Sequence, residues 1–268
     1  MESVRSSIYD TRYFLELCEG HRQFAVSQGL MLCPRMARAL ELTAPNAGMQ
    51  VLDVGAGRGE VVLHAALSGA HAVGIDYSAA AVELTSSTVS TVGGRVRGKV
   101  SIIRADGCGM PFPENAYDVV LMLDIVEHLY PTQLDAAIAE AHRVLKPGGR
   151  LVIHTAPNAL VHRLTYPLFR ILHHIVRGTL LPRTLDEFNP VNQSVHVNKQ
   201  TPWSLRRSLR KQFTKVRVWL EDTNPSSALL KPDAQEDRAW MRFFLCAARR
   251  HHPWKLFCCN HIFAVAVK

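Results

Sequence analysis

Between Met49 and Thr155, short apolar runs alternate with amphipathic stretches, and the alternation predicts βαβ units wound on a parallel sheet. The runs end at recognisable places: VLDV at Val54, VGID at Asp76, IIRAD at Asp106, YDVVLML at Leu123 and RLVIHT at Thr155. Ahead of them, Tyr9 to Leu42 reads as helical, with Phe14, Leu17, Phe24, Met36 and Leu40 among its apolar positions. Behind them, Ala159 to Asn198 is an insertion with a strongly amphipathic helix. Leu160, Leu164, Leu168, Ile171, Leu172, Ile175 and Val176 share roughly one half of a helical wheel. Arg163, Arg170 and Arg177 recur every seven residues on the other half, joined by His162, His173 and His174, and Pro167 predicts a bend. Two placements stay open: a lid packing its apolar side on the domain, or a face meeting a membrane surface or a lipid-like substrate. Thr201-Pro202 opens a further helix from Trp203 to Phe213, and Lys215 to Leu220 and His261 to Val267 read as strands. Asp233 to Arg250 reads as a helix with Trp240, Phe243, Phe244 and Leu245 as core candidates.

The first run leads into a loop, VLDVGAGRGE, with Asp53 at the strand end and Gly55, Gly57 and Gly59 at alternate positions. Such a loop turns tightly and lets backbone N–H groups approach a ligand. The dinucleotide fingerprint needs a third glycine where this chain has Glu60. Asp53 and Glu60 flanking the turn suit a ligand that carries an amine better than one that carries a pyrophosphate. Asp76 ends the second strand about 20 residues further on, where an acid accepts ribose hydroxyls. Each acid alone has a bland reading as a turn or cap residue. Jointly they stand at the carboxyl ends of strands, where open α/β sheets bind ligands.

Composition adds bounds. The 268 residues suit one domain with a modest insertion, and 47% hydrophobic with 20% charged residues describes an ordinary globular chain. No apolar run reaches the ~18 residues of a spanning helix, and MESVRSSIYD has no apolar signal core, so the expected location is cytoplasmic. Six cysteines without a C-x-x-C pattern fit a reducing compartment. The histidines and cysteines of HHPWKLFCCNH, from His251, match no familiar zinc spacing and read as loop and strand start. A net charge of +8 favours anionic partners such as acidic substrates, a lipid surface or nucleic acid.

D-x-G-x-G-x-G after a strand resembles motif I of the class I S-adenosylmethionine-dependent methyltransferases. VGIDYS, IIRADG, YDVVLMLDIVEHL and HRVLKPGGRLVIHTAPN follow in that family's order. The resemblance implies a Rossmann-like, doubly wound α/β sheet of seven strands, mostly parallel with the last antiparallel. The expected layout is an N-terminal helical cap over 1–45, a cofactor-binding half over 46–158, a helical lid over 159–200 and sheet completion over 201–268. S-adenosyl-L-methionine is the implied cofactor and S-adenosyl-L-homocysteine its product. The expected cofactor-binding residues are Asp53, Gly55, Gly57, Asp76, Tyr77, Asp106, Gly107 and Asp124, with Asp106 bonding the adenine amino group and Cys108 a small apolar neighbour of that ring. Tyr9 or Tyr13 of the cap would place a ring against the sulfonium, or simply pack.

Chemistry is expected at the end of the fourth strand, with His128 and His196 as the catalytic candidates. The acid-x-x-Glu-His pattern of Asp124, Glu127 and His128 is similar to the metal-binding signature of ubiquinone-pathway O-methyltransferases. It is also similar to that of small-RNA 2′-O-methyltransferases, which add a distal histidine before a helix cap, where this chain has His196. The departure is Asp124, where those families carry Glu. Three readings stay open: His128 as base or positioning residue, a divalent metal on the cluster, or a Glu-His pair that only supports the helix start. The expected reaction is methyl transfer to an oxygen of a small or lipid-like hydrophobic acceptor, with peripheral membrane contact through 159–182. RNA methylation is an alternative, drawn from Arg206, Arg207, Arg210 and Lys211, although no RNA-binding module is present. A non-catalytic cofactor-binding scaffold is another.

Overall fold

A computed structural model describes residues 4–188, 190–222 and 254–268. Seven strands form one sheet: β1 (Gln50–Val54), β2 (His71–Asp76), β3 (Val100–Arg104), β4 (Tyr117–Leu123), β5 (Leu145–Thr155), β6 (Lys215–Leu220) and β7 (Ile262–Val267). Their order is β3-β2-β1-β4-β5-β7-β6. The first five pair in parallel, and β7 lies antiparallel between β5 and β6. Helices α1 (His21–Ser27), α2 (Pro34–Thr43), α3 (Glu60–Leu67), α4 (Ala79–Thr91), α5 (Pro131–Val144), α6 (Tyr166–Arg177), α7 (Pro190–Val195) and α8 (Pro202–Leu209) cover its faces and edges. The mixed seven-stranded sheet is the one expected.

Period-2 alternation sends strand side chains to two cores. Leu52, Val54, Val120 and Met122 pack against Leu134, Ala137, Ile138 and Ala141 of α5 and Leu205 and Leu209 of α8. Val51, Val119, Leu121 and Val152 pack on the other side against Ala39 of α2 and Val61, Val62, Ala65 and Ala66 of α3. Strand order reverses between β1 and β4, which places a ligand crevice over their carboxyl ends. Local chemistry fixes the helix starts. Ser78 accepts from the Ala81 N–H at the head of α4, and Thr201 accepts from Ser204 N while Ser204 Oγ accepts from Thr201 N.

Two expectations change. The N-terminal stretch is a broken series, with short turns at Ser6–Ile8 and Tyr13–Leu17 ahead of α1 and α2. Gly20 and Gly29 in left-handed conformations and Pro34 at the head of α2 divide it. Tyr9, Tyr13 and Phe14 pack with Ala81 of α4 and Val195 of α7. In α6 the lid packing is reversed: the apolar side is exposed and the other side faces the cavity. The helix expected over 233–250 lies outside the described residues. No described helix is long and apolar enough to cross a membrane.

Candidate functional site

The glycine loop between β1 and α3 forms the floor of a cradle. Gly55 has φ +81°, and a Cβ there would stand 2.2 Å from Ile125 Cγ2, so position 55 admits no side chain. The Gly55 and Ala56 N–H groups donate to Ile75 O at 2.8 and 3.0 Å, which ties the loop to β2. Asp76, at the tip of β2, accepts from Gly57 N at 3.1 Å and from Ser78 N at 2.9 Å. Burial raises its pKa against those two donors.

Asp53 is 4% exposed, and no described donor reaches it. Burial, with Asp76, Glu60 and Asp124 nearby, pushes its pKa up to about 7. Glu60 differs because Arg58 clamps it through a 2.9 Å contact, both side chains being buried. A buried carboxyl whose ionisation burial and neighbouring carboxyls disfavour is a place where a cation would be welcome.

Asp106 accepts from Cys108 N at 2.9 Å and, with Gly107, lines the same cavity. Tyr77 is partly exposed there, its ring 5.6 Å from that of Tyr9. The cavity is about 1260 Å³ and runs from this cradle past Glu127, His128 and His196 to Tyr166, Phe169 and His173 of α6.

At the tip of β4 the structure separates residues that the sequence set side by side. Asp124 sits at φ +57° and lines the cavity, but both its carboxylate oxygens are engaged. Arg35 Nε donates to Oδ2 at 2.5 Å, and His154 Nδ1 donates to Oδ1. Burial alone would raise its pKa; Arg35 and His154 override it and hold the carboxyl well below the usual carboxylate range. His154 Nε2 in turn lies 3.0 Å from His261 Nδ1. Asp124 therefore belongs to an Arg35–Asp124–His154–His261 chain and not to the Glu-His group.

Glu127 and His128 turn instead toward His196. Thr155 Oγ1 donates to Glu127 Oε2 at 2.7 Å, and burial, with Asp124 nearby, raises this carboxyl to about 8. Burial lowers His128 to about 4. Its Nδ1 faces the Val195 carbonyl at 3.2 Å and the Tyr9 hydroxyl at 2.9 Å. A carbonyl only accepts, so the proton sits on Nδ1 and the Nε2 lone pair is free for other work. The His196 ring lies 5.1 Å from that of His128, and burial lowers this histidine to about 3, with His128 adding to the effect. His196 Nδ1 is buried without a hydrogen-bond partner.

One ligand atom each from Glu127, His128 and His196 lies within 4.8 Å of the other two. This carboxylate-and-two-imidazole set, with one orphaned nitrogen, fits a divalent metal ion. Sequence reading missed Arg35, His154 and His261. The legible signal was His154 itself, a polar residue near the end of a buried strand.

Sheet order, glycine hinge and strand-tip acids together give an α/β fold with a ligand crevice over the carboxyl ends of its strands. Residues 52–153 match the Methyltransferase domain family. A ubiquinone/menaquinone biosynthesis C-methyltransferase UbiE from Shewanella sp. (strain W3-18-1) is 27% identical over 166 residues, covering 59% of this chain and 64% of the relative. The chain thus spans under two thirds of the length of the curated relatives it matches.

A chain of the complex between the Haloferax volcanii Trm112 methyltransferase activator and a methyltransferase superposes with TM-score 0.61 at 16% identity, covering 99% of both. Haemonchus contortus phosphoethanolamine N-methyltransferase 2, solved with S-adenosyl-L-methionine, gives 0.60 at 19% identity, over 97% of this chain and 60% of its own. At such identities the solved structures speak for the fold. Residues 52–153 thus resemble the methyltransferase domain, and the fold is the one seen in S-adenosylmethionine-dependent methyltransferases.

Proposed function

We propose that this protein binds S-adenosyl-L-methionine in the strand-tip cradle and transfers its methyl group to an oxygen of a small or lipid-like acceptor. The observation that carries the reading is Asp53: buried, without a donor among the described residues, and close to Asp76, which lines one end of a cavity of about 1260 Å³ at the glycine hinge. When bound, the cofactor supplies an electrophilic methyl carbon on a positively charged sulfur. The chain's own part is to bind, orient and handle the proton. Asp76 accepts from the ribose hydroxyls, Asp106 from the adenine amino group, and Asp53 balances the positive charge of the amino-acid end. His128 Nε2 accepts the hydrogen bond of the acceptor hydroxyl and takes its proton as the oxygen attacks. His196 lines the acceptor side of that space, and the lid residues Tyr166 and Phe169 offer an apolar wall.

The orphaned His196 Nδ1 favours a second reading of the same site. Glu127, His128 and His196 would hold a divalent ion, and such an ion would polarise the acceptor oxygen. The two readings separate on a chelator: full activity after treatment keeps His128 as the base, and loss restored by added metal selects the ion.

The test of the main reading uses donor labelled with carbon-13 in the methyl group and a panel of phenols, lipid alcohols and catechols. Expected is homocysteine-product formation with the label in the O-methyl region of the carbon spectrum. Label on carbon would move the assignment to the chemistry in the relatives' name. No donor binding by calorimetry would overturn the reading altogether.

A further inference from the structure

Along α6 and the turn before it, Leu164, Leu168, Ile171, Leu172, Ile175 and Val176 form one stripe, each between 52% and 72% exposed. Single exposed leucines are ordinary; six large apolar side chains in one stripe mark a surface that meets something. The opposite side of the helix is occupied, since Tyr166 is buried and Phe169 and His173 line the cavity. A lid helix normally turns its stripe inward. Here the cavity takes the aromatic and basic side, and no described residue covers the stripe.

Charge selects the occupant. No acidic residue occurs between Asn158 and Asp186, while Arg163, Arg170, His174, Arg177 and Arg183 all fall there. Arg163 and His174 are exposed along one border of the stripe. A second copy docking face to face would oppose two such basic borders. An anionic bilayer would neutralise them and bury the stripe.

We propose that α6 docks this protein on an anionic lipid surface, lying in the interface with its stripe among the acyl chains and the cavity directly behind it. Docking itself does not depend on methyl transfer. The corollary, that the acceptor is a lipid-like molecule drawn from that interface, rests on the proposed function.

The experiment is flotation of the full chain with phosphatidylglycerol vesicles and with phosphatidylcholine vesicles, without methyl donor. Parent protein is compared with the double variant Ile171→Glu/Ile175→Glu. Expected is retention on phosphatidylglycerol that weakens with salt, and at least about tenfold weaker binding by the variant. Equal binding by parent and variant, or no binding by the parent, overturns the proposal. So does a concentration-dependent dimer of the lipid-free parent that the variant abolishes, because the stripe would then belong to a second copy. Calorimetry with S-adenosyl-L-methionine runs alongside. Donor binding kept by the variant shows an intact fold, and vesicle failure with donor binding retained separates this proposal from the methyltransferase reading.

Discussion

The cradle at the strand tips buries carboxyl groups, whereas α6, on the far wall of the same cavity, exposes leucines and isoleucines. Both invert the usual partition of polar and apolar groups. In the cradle the buried acids are held by backbone N–H groups or by Arg58 and Arg35, while at Asp53 burial and neighbouring carboxyls raise the pKa to about 7. In α6 the exposed stripe has no such support among the described residues. The first inversion is completed by a ligand and the second by a surface. Departures from the ordinary partition mark where each meets the outside.

The sharpest break of this comparison comes at the hinge. Gly55→Ala forces a side chain into a left-handed conformation and against Ile125 Cγ2. We expect a loss on the order of 3 kcal/mol. That corresponds to a fall in melting temperature of roughly 6–12 °C, read by calorimetry. An unchanged melt would mean that the loop is not pinned as described.

Next in size is Asp76→Ala. On the proposed function Asp76 bonds the ribose hydroxyls, so its removal should weaken donor binding by about 1.5–3 kcal/mol, roughly tenfold to 150-fold, in a titration. The same substitution frees the Gly57 and Ser78 N–H groups, so the melt is measured as well. Lost affinity with an unchanged melt assigns Asp76 to the ligand; a fall in the melt alone assigns it to the loop.

A smaller, pH-dependent effect belongs to Asp53. Its pKa of about 7 in the ligand-free fold lies above the ordinary 3.8 of an unfolded chain. The folded state therefore holds a proton that the unfolded state has lost between those values, and stability declines as pH rises through this window. A cationic ligand reverses the preference by favouring the carboxylate. Donor affinity should climb toward pH 7 by at most about tenfold per unit, with proton release visible in buffers of different ionisation enthalpy. Asp53→Asn should flatten both trends. A parent affinity that stays flat between pH 5 and 8 would remove Asp53 from the ammonium site.

The strand-tip half was legible because its determinants are local. A glycine hinge, an acid at a strand end and an apolar run are each written within about ten residues, and their succession carried the resemblance that implied the mixed seven-stranded sheet. The lid was legible only as a pattern. Periodicity identified the stripe from Leu164 to Val176, but which side faces inward depends on what lines the cavity, and Tyr166 and Phe169 are on the opposite side. The Asp124 chain was illegible for a similar reason. Arg35, His154 and His261 come from α2, β5 and the residue just before β7, and only the pairing of β5 with β7 brings the last two together.

The smallest expected effect decides whether the comparison holds at all. Ile138 of α5 is fully buried in the core, while Ile171 of α6 is 55% exposed. Serine at position 138 should cost at least about 3 kcal/mol, through lost burial and a buried hydroxyl. At position 171 the change should stay within about 0.5 kcal/mol, because the residue is already largely in water in the free protein. Two urea melts measure the difference. A cost near 2 kcal/mol at Ile171 would mean that the stripe is covered within the chain, and α6 would return to the ordinary role of a lid packed by its apolar side. A cost near zero leaves six large apolar side chains facing solvent, a state that persists only where another surface regularly takes the water's place.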